Sequence, residues 1–262
     1  MVGQQIGTII QARMGSKRLP GKTMTPIAGK PLLHHVLERA AKSRFTGTIV
    51  VATTDNPEDN VIEQFVRAWG AQVFRGSSAD VLDRYYQAGR QWRLETIVRL
   101  TADDPFKDPA IVDRGIEIFL NSNGAYDYVS NNLRPTFPDG LDVEVFKFSA
   151  LEVAWREATK PSHREHVTPF IWTQPERFSL HNFEHNQDLS HLRWTLDNPQ
   201  DLEFARAVYH ELYRGEPFAM QAVLELLARR PELATINRGF QKNEAFWKAV
   251  AAENGLAGET TS

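Results

Sequence analysis

The chain has 262 residues, 42 % of them apolar and 24 % charged, with a formal net charge of −3 and no cysteine. That composition excludes a disordered chain or a coiled coil, and the slight acidity argues against a dedicated nucleic-acid surface. The missing cysteine rules out disulfides, thiolate metal sites and a cysteine nucleophile. No apolar run approaches the roughly 18 residues needed to cross a bilayer, and Met1-Val2-Gly3-Gln4-Gln5 has no signal-peptide core. A cytoplasmic protein that binds neither nucleic acid nor membrane is expected.

Ile6–Ala12 is short, β-branched and bounded by turn residues, which predicts a buried strand. The loop behind it holds Arg13, Lys17, Arg18 and Lys22 together with Gly15, Gly21 and Pro20. Glycine exposes backbone N–H groups and the cations supply charge and donors, so such a loop suits a phosphate, although a solvated basic turn has the same composition. It is not the nucleoside-triphosphate P-loop. Five residues separate Gly15 from Gly21-Lys22-Thr23 where four are required, and Pro20 removes a backbone donor from the cradle.

Leu32, Leu33, Val36, Leu37 and Ala40 recur at helical spacing behind Pro31. A strand follows at Thr48–Thr54, a helix with an apolar stripe from Val61 to Trp69, a short strand at 70–75, and a helix capped by Ser78-Ala79-Asp80 that runs to about Trp92. Thr96–Thr101 reads as a fourth strand and Asp108-Pro109 opens a fourth helix through Leu120. The alternation implies an α/β fold, a mostly parallel sheet with helices on both faces. Ligands of such sheets sit beyond the carboxyl ends of the strands, where the basic loop, Thr53-Thr54-Asp55 and Thr101–Pro105 fall.

The rhythm changes after Tyr126. Strands are expected at Tyr126–Ser130, Leu141–Phe146 (one face wet), Arg177–Phe183 and Leu192–Thr195, and helices at Ala150–Ala158, Ser162–Trp172, Leu202–Leu212 behind an Asp197–Asp201 cap, and Phe218–Leu227. We read one domain, residues 1–252, with an inserted α+β segment at about 131–191 for acceptor binding and dimerisation, and a frayed tail at 253–262.

Asp103-Asp104-Pro105 follows the fourth strand, where paired carboxylates suit a hard divalent cation; a helix-cap turn uses the same residues. Asp197, before Asn198-Pro199, is by itself a helix cap, but with Asp103 it could close a metal site from two sides. Asp142 and Glu144 share a strand face that either meets a polar substrate or is simply solvated. His163 and His166 share a helical face but lack a third ligand, so zinc is not assigned.

Gln11-Ala12-Arg13-Met14-Gly15-Ser16-Lys17-Arg18-Leu19-Pro20-Gly21-Lys22 resembles the R-x-x-S-x-R-L-P-G-K signature of the sugar cytidylyltransferases, which make CMP-activated 3-deoxy-octulosonate and CMP-neuraminate. Arg99–Pro105, Asp139–Glu144, Arg164–Thr168 and Arg193–Asp197 resemble the branch named for the spore-coat polysaccharide protein SpsF, and the likeness runs from about Ile6 to Leu212. It implies a Rossmann-like nucleotidyltransferase (GT-A-like) fold, CTP as donor, Mg²⁺ and a homodimer. By this resemblance Arg13 and Lys22 hold the triphosphate and Asp103 and Asp197 bind metal. Asp104 stands where the branch often has an uncharged residue, which leaves open which of the pair is the ligand; Asp103 is preferred.

The nucleotide is expected against Ala12, Arg13, Gly15, Ser16, Arg18, Lys22, Thr53, Asp55, Asp80 and Val81, and the acceptor against Asn131, Asp142, Glu144 and His166. The expected reaction is CMP transfer to a sugar, acid sugar or phosphate-like acceptor with release of pyrophosphate. The alternatives are a glycosyltransferase of related fold, which hydrolyses a nucleotide sugar without pyrophosphate release, and a non-catalytic nucleotide-binding protein, which binds without turnover.

Overall fold

The computed structural model describes residues 5–240, 242 and 244–259. Strand β1 (Ile6–Gln11) is followed by the loop, a small ribbon of β2 (Pro26–Ile27) and β3 (Lys30–Pro31), helix α1 (Leu32–Ala41) and β4 (Thr48–Thr54). Then come α2 (Asn60–Trp69), β5 (Gln72–Gly76), α3 (Val81–Gln91), β6 (Thr96–Thr101) and α4 (Pro109–Asn121). The second half adds β7 (Tyr128–Ser130), β8 (Glu144–Lys147), α5 (Phe148–Glu157), α6 (Pro161–His166), α7 (Pro169–Trp172), β9 (Leu180–Asn182), α8 (Pro199–Leu212), α9 (Met220–Arg229) and α10 (Glu244–Glu259).

The main sheet runs β5-β4-β1-β6-β8-β7-β9. β5, β4, β1 and β6 are parallel, β8 is antiparallel to both β6 and β7, and β9 is parallel to β7. Successive residues of a strand point to opposite faces. Ile10, Val51 and Val98 therefore meet α1, α2, α4, α8 and α9 in one apolar layer, while their neighbours Ile9, Val50 and Ile97 meet α3, α5 and α7 in another. Strands buried on both faces read as continuous apolar runs, which is why the parallel half was legible. The chain leaves β1 towards β4 and β5, then returns through α3 to β6 on the other side of β1. The loops after β1 and β6 diverge there and leave a crevice. Among the described residues, no helix is long and apolar enough to cross a membrane.

The second half departs from expectation in three places. The strand expected at Leu141–Phe146 is confined to β8, and neither face is wet. β8 lies inside the sheet between β6 and β7, so Glu144 is 5 % exposed. The helix expected at Ser162–Trp172 is two short helices. They break at Val167, whose φ of 73° and ψ of −60°, with Thr168 N–H donating to the His166 carbonyl at 2.9 Å, make a γ-turn. Leu192–Thr195 forms no strand of the sheet. It runs beside the loop at Asp139, with Asp139 N–H donating to Leu192 O at 2.9 Å and Trp194 N–H to Asp139 O at 2.7 Å. Gly140 permits that approach, because a Cβ there would lie 2.6 Å from Thr195 N and φ is +103°. Of the tail segment 253–262, α10 takes in residues to Glu259, and 260–262 lie outside the described residues.

Candidate active site

A cleft of about 610 Å³ opens at the crevice between the ends of β1 and β6. The side formed by the basic loop after β1 is shaped by internal hydrogen bonds. Ser16 N–H and Gly21 N–H both donate to Met14 O, at 2.8 and 3.0 Å, and Thr23 Oγ1 donates to Arg13 O at 2.7 Å. The loop is fastened to the sheet by Asp59, which is fully buried and accepts from Met14 N–H at 2.7 Å and from Thr53 Oγ1 at 3.0 Å. No local spacing marks Asp59 for this role, so this fastening was not read from the sequence. Arg13, Lys17 and Arg18 remain exposed on the cleft wall.

Lys22 turns inward. Its ammonium donates to Asp103 Oδ2 at 2.9 Å, Asp197 Oδ1 at 2.8 Å and Leu196 O at 3.0 Å, which uses all three of its donors. Two carboxylates from distant parts of the chain thus converge on one point. Burial would lower the Lys22 pKa, but Asp103 and Asp197 outweigh it and raise it. Burial likewise pushes the Asp103 carboxyl up, and the Lys22 ammonium reverses this and holds it well below the usual carboxylate range. Asp104 faces away from this point. It accepts from Lys107 Nζ and Thr101 Oγ1, both at 2.9 Å, and burial raises its pKa.

Arg193 braces the floor of the cleft, donating to Asp139 at 2.9 Å, Asp201 at 2.9 Å and Asp197 at 3.2 Å. Asp197 also pairs with Arg18 at 2.9 Å. Burial, with the negative charges of Asp142 and Asp104 near it, pushes the Asp139 carboxyl up to about 7 against the opposing pull of Lys242 and Arg193.

At the far end, Glu144 accepts from Arg99, from Tyr128 OH at 2.7 Å and from Thr168 Oγ1 at 2.8 Å. Burial opposes the charge on Arg99, yet Glu144 beside it raises the Arg99 pKa. The γ-turn at Val167 brings both His166 and Thr168 to the cleft. Left-handed backbone at a β-branched residue costs on the order of 1–3 kcal/mol, which the surrounding packing must sustain. Burial lowers the His166 pKa, which favours the neutral imidazole.

Of the residues singled out from sequence, the cleft brings together Ala12, Arg13, Ser16, Arg18, Lys22, Val81, Asp103, Asp142, Glu144, His166 and Asp197. It does not include Gly15, Thr53, Asp55, Asp80 or Asn131. Thr53 is fully buried against Asp59, and Asp55 is exposed at the end of β4. Asp80 caps α3 through Asp83 N–H at 2.9 Å and pairs with Arg164. Asn131 is 1 % exposed and spends its amide on the backbone at Leu141 and Val143, at 2.9 and 2.8 Å. Asn132, Asp139, Arg193 and residues of α10 line the cleft without having been singled out. Asp139 stands in a stretch quoted only for its resemblance, Arg193 in such a stretch and in an expected strand, and nothing local marks α10 as part of a site. Among the described residues no cluster of three or more His, Asp or Glu forms a ready-made metal site.

A mostly parallel sheet of this order with a basic loop, converging carboxylates and a cleft at its switch point is the arrangement of a nucleotidyltransferase of Rossmann-like fold. The family model described as "Cytidylyltransferase" matches residues 8–227. The chain is 32 % identical over 234 residues to the spore coat polysaccharide biosynthesis protein SpsF of Bacillus subtilis, covering 87 % of this chain and 95 % of that one. It is 29 % identical over 243 residues to a 3-deoxy-manno-octulosonate cytidylyltransferase of Anaeromyxobacter dehalogenans, covering 78 % and 98 %. A solved cytidylyltransferase structure from Leptospira borgpetersenii superposes with a TM-score of 0.86 at 32 % identity, over 91 % of this chain and all of that one. This chain belongs to the cytidylyltransferase family, enzymes of the nucleotidyltransferase class EC 2.7.7.

Proposed function

We propose that this enzyme transfers CMP from CTP to a sugar, acid sugar or phosphate- or phosphonate-type acceptor, releasing pyrophosphate, in the supply of precursors for a surface polysaccharide or glycoconjugate. The observation that carries the reading is the convergence of Asp103 and Asp197 on the Lys22 ammonium beside the basic loop. The likeness to a 3-deoxy-manno-octulosonate cytidylyltransferase supports a sugar-acid acceptor, and the likeness to SpsF supports a role in polysaccharide synthesis.

The acceptor oxygen attacks the α-phosphorus. The bond from that phosphorus to the bridging oxygen breaks, pyrophosphate leaves with the electron pair, and the acceptor proton passes to solvent. Such transfers depend on positioning and charge neutralisation. Arg13, Lys17 and Arg18 bind and orient the triphosphate. Lys22 joins them by exchanging a carboxylate for a phosphate oxygen, since its three donors are already engaged. Asp103 and Asp197 offer hard oxygen donors facing one point, a set that fits Mg²⁺. When bound there, Mg²⁺ supplies charge neutralisation and acidifies the acceptor hydroxyl. Asp142, Glu144 and His166, in the segment 131–191, border the acceptor, and that segment also carries the contacts of a homodimer. The enzyme works in the cytoplasm, where CTP is made.

The test is a pyrophosphate-release screen with Mg²⁺ that crosses the four ribonucleoside triphosphates with acid sugars, phosphosugars and phosphonates. Release only with CTP and one acceptor class is expected. No release with CTP and any acceptor would sink the reading.

A further inference from the structure

The C-terminal helix α10 lies beyond residue 227, where the family match ends, yet it forms part of the cleft. Three polar contacts hold this segment in place. Lys242 Nζ donates to Asp142 Oδ1 at 2.8 Å, Arg18 pairs with Glu244 at 3.3 Å, and Glu253 accepts from Ser162 N–H and Oγ at the start of α6, at 2.6 and 2.8 Å. Between these contacts Phe246 is 8 % exposed, its ring edge-on to His166 at 5.3 Å and to Trp172 at 5.6 Å. Phe246 and Trp172 line the cleft, whereas Trp247 does not line it and is 57 % exposed.

Two polar atoms of cleft-lining residues, His166 Nε2 beside Phe246 and Asn132 Oδ1, are buried without a hydrogen-bond partner among the described residues. Buried polar atoms are rarely left so, and these invite a ligand's hydroxyls. A sugar ring has an apolar C–H face and a rim of hydroxyl groups, which matches an aromatic wall flanked by unpaired polar atoms.

Resting on the sugar-acceptor reading above, we propose that Phe246 of α10, with Trp172, is the apolar wall that receives the ring of the acceptor, so that the C-terminal helix sets acceptor selectivity.

The test compares wild type with Phe246→Ala, Phe246→Leu and the outward control Trp247→Ala. CTP affinity is measured by calorimetry with Mg²⁺. Pyrophosphate release is measured with 3-deoxy-manno-octulosonate, N-acetylneuraminate, a hexose 1-phosphate and the ring-free 2-aminoethylphosphonate. Loss of an apolar wall predicts a roughly ten- to hundredfold rise in KM for the cyclic acceptor in Phe246→Ala. CTP affinity should stay within about twofold, and Trp247→Ala, whose ring packs edge-on to Phe246 at 5.0 Å without lining the cleft, should raise the acceptor KM by under about threefold. Thermal melts check folding; if Phe246→Ala melts early, Phe246→Leu keeps the apolar bulk without the ring and is read instead. An unchanged acceptor KM overturns the wall and leaves CMP transfer standing. A CTP affinity that falls as far as that of the acceptor also overturns it, because Phe246 then faces the nucleotide. Turnover of the ring-free phosphonate alone overturns the wall, and no turnover with any acceptor overturns the transfer as well.

Discussion

The two ends of the cleft are built differently. The end proposed to hold the triphosphate, called the phosphate end below, hangs on the carboxyl termini of β1 and β6, adjacent strands of the parallel half, and the loops next to them supply its cations and Asp103, with Asp197 joining from before α8. The far end is assembled from β8, a strained turn between two short helices, and a helix from the C-terminus. The first is precise because central strands hold it. The second depends on contacts between segments distant in sequence, which leaves room for variation at the proposed acceptor site.

The largest effect expected on this comparison is at the far end. Glu144→Gln removes the charge that compensates buried Arg99 and weakens the contacts to Tyr128 and Thr168. Breaking a buried pair costs about 3–5 kcal/mol, so the melting temperature should fall by roughly 10 °C. A fall of under about 2 °C in calorimetry would show that the far end does not rest on this pair. At the phosphate end Asp103→Asn keeps shape and removes charge. It should leave the fold intact and cut pyrophosphate release by roughly 10²- to 10³-fold; unchanged turnover would remove Asp103 from the proposed chemistry.

Lys22→Ala should weaken CTP binding by roughly tenfold or more, the worth of a charged hydrogen bond, as read by calorimetry. Unaltered affinity would leave Lys22 as a brace for the two aspartates and nothing more. Asp139, on the floor of the cleft beside Arg193 and Asp142, gives a pH signature. Its carboxyl sits near 7 in the folded protein against an ordinary 3.8, so the folded state holds the extra proton between these values. Stability from this group is therefore present below about pH 4 and is lost as pH rises towards 7. Asp139→Asn should remove that slope in denaturation measured at pH 4.5, 6 and 8; an identical slope in both proteins would place the titration elsewhere. The smallest effect is the exposed Arg67–Glu63 pair on α2, remote from both ends. Arg67→Ala should change stability by under about 0.5 kcal/mol.

The alternation of apolar runs and helical stripes determined the parallel half, because strands buried on both faces and helices with one apolar stripe leave local periodic marks. The basic, turn-rich make-up of the loop from Arg13 to Lys22, Asp103 at the end of β6 and the family likeness were legible for the same reason, each lying in one continuous stretch. Tertiary structure alone decided what pairing across the chain controls. It set Glu144 inside the sheet rather than on a wet face, turned Asp104 to Lys107 and Asp103 to Lys22, and gave the amide of Asn131 to the backbone. It also fastened the loop through Asp59 and folded α10 over the cleft. A side chain's partners there come from residues tens to hundreds of positions away, and no local spacing records which of them it will meet.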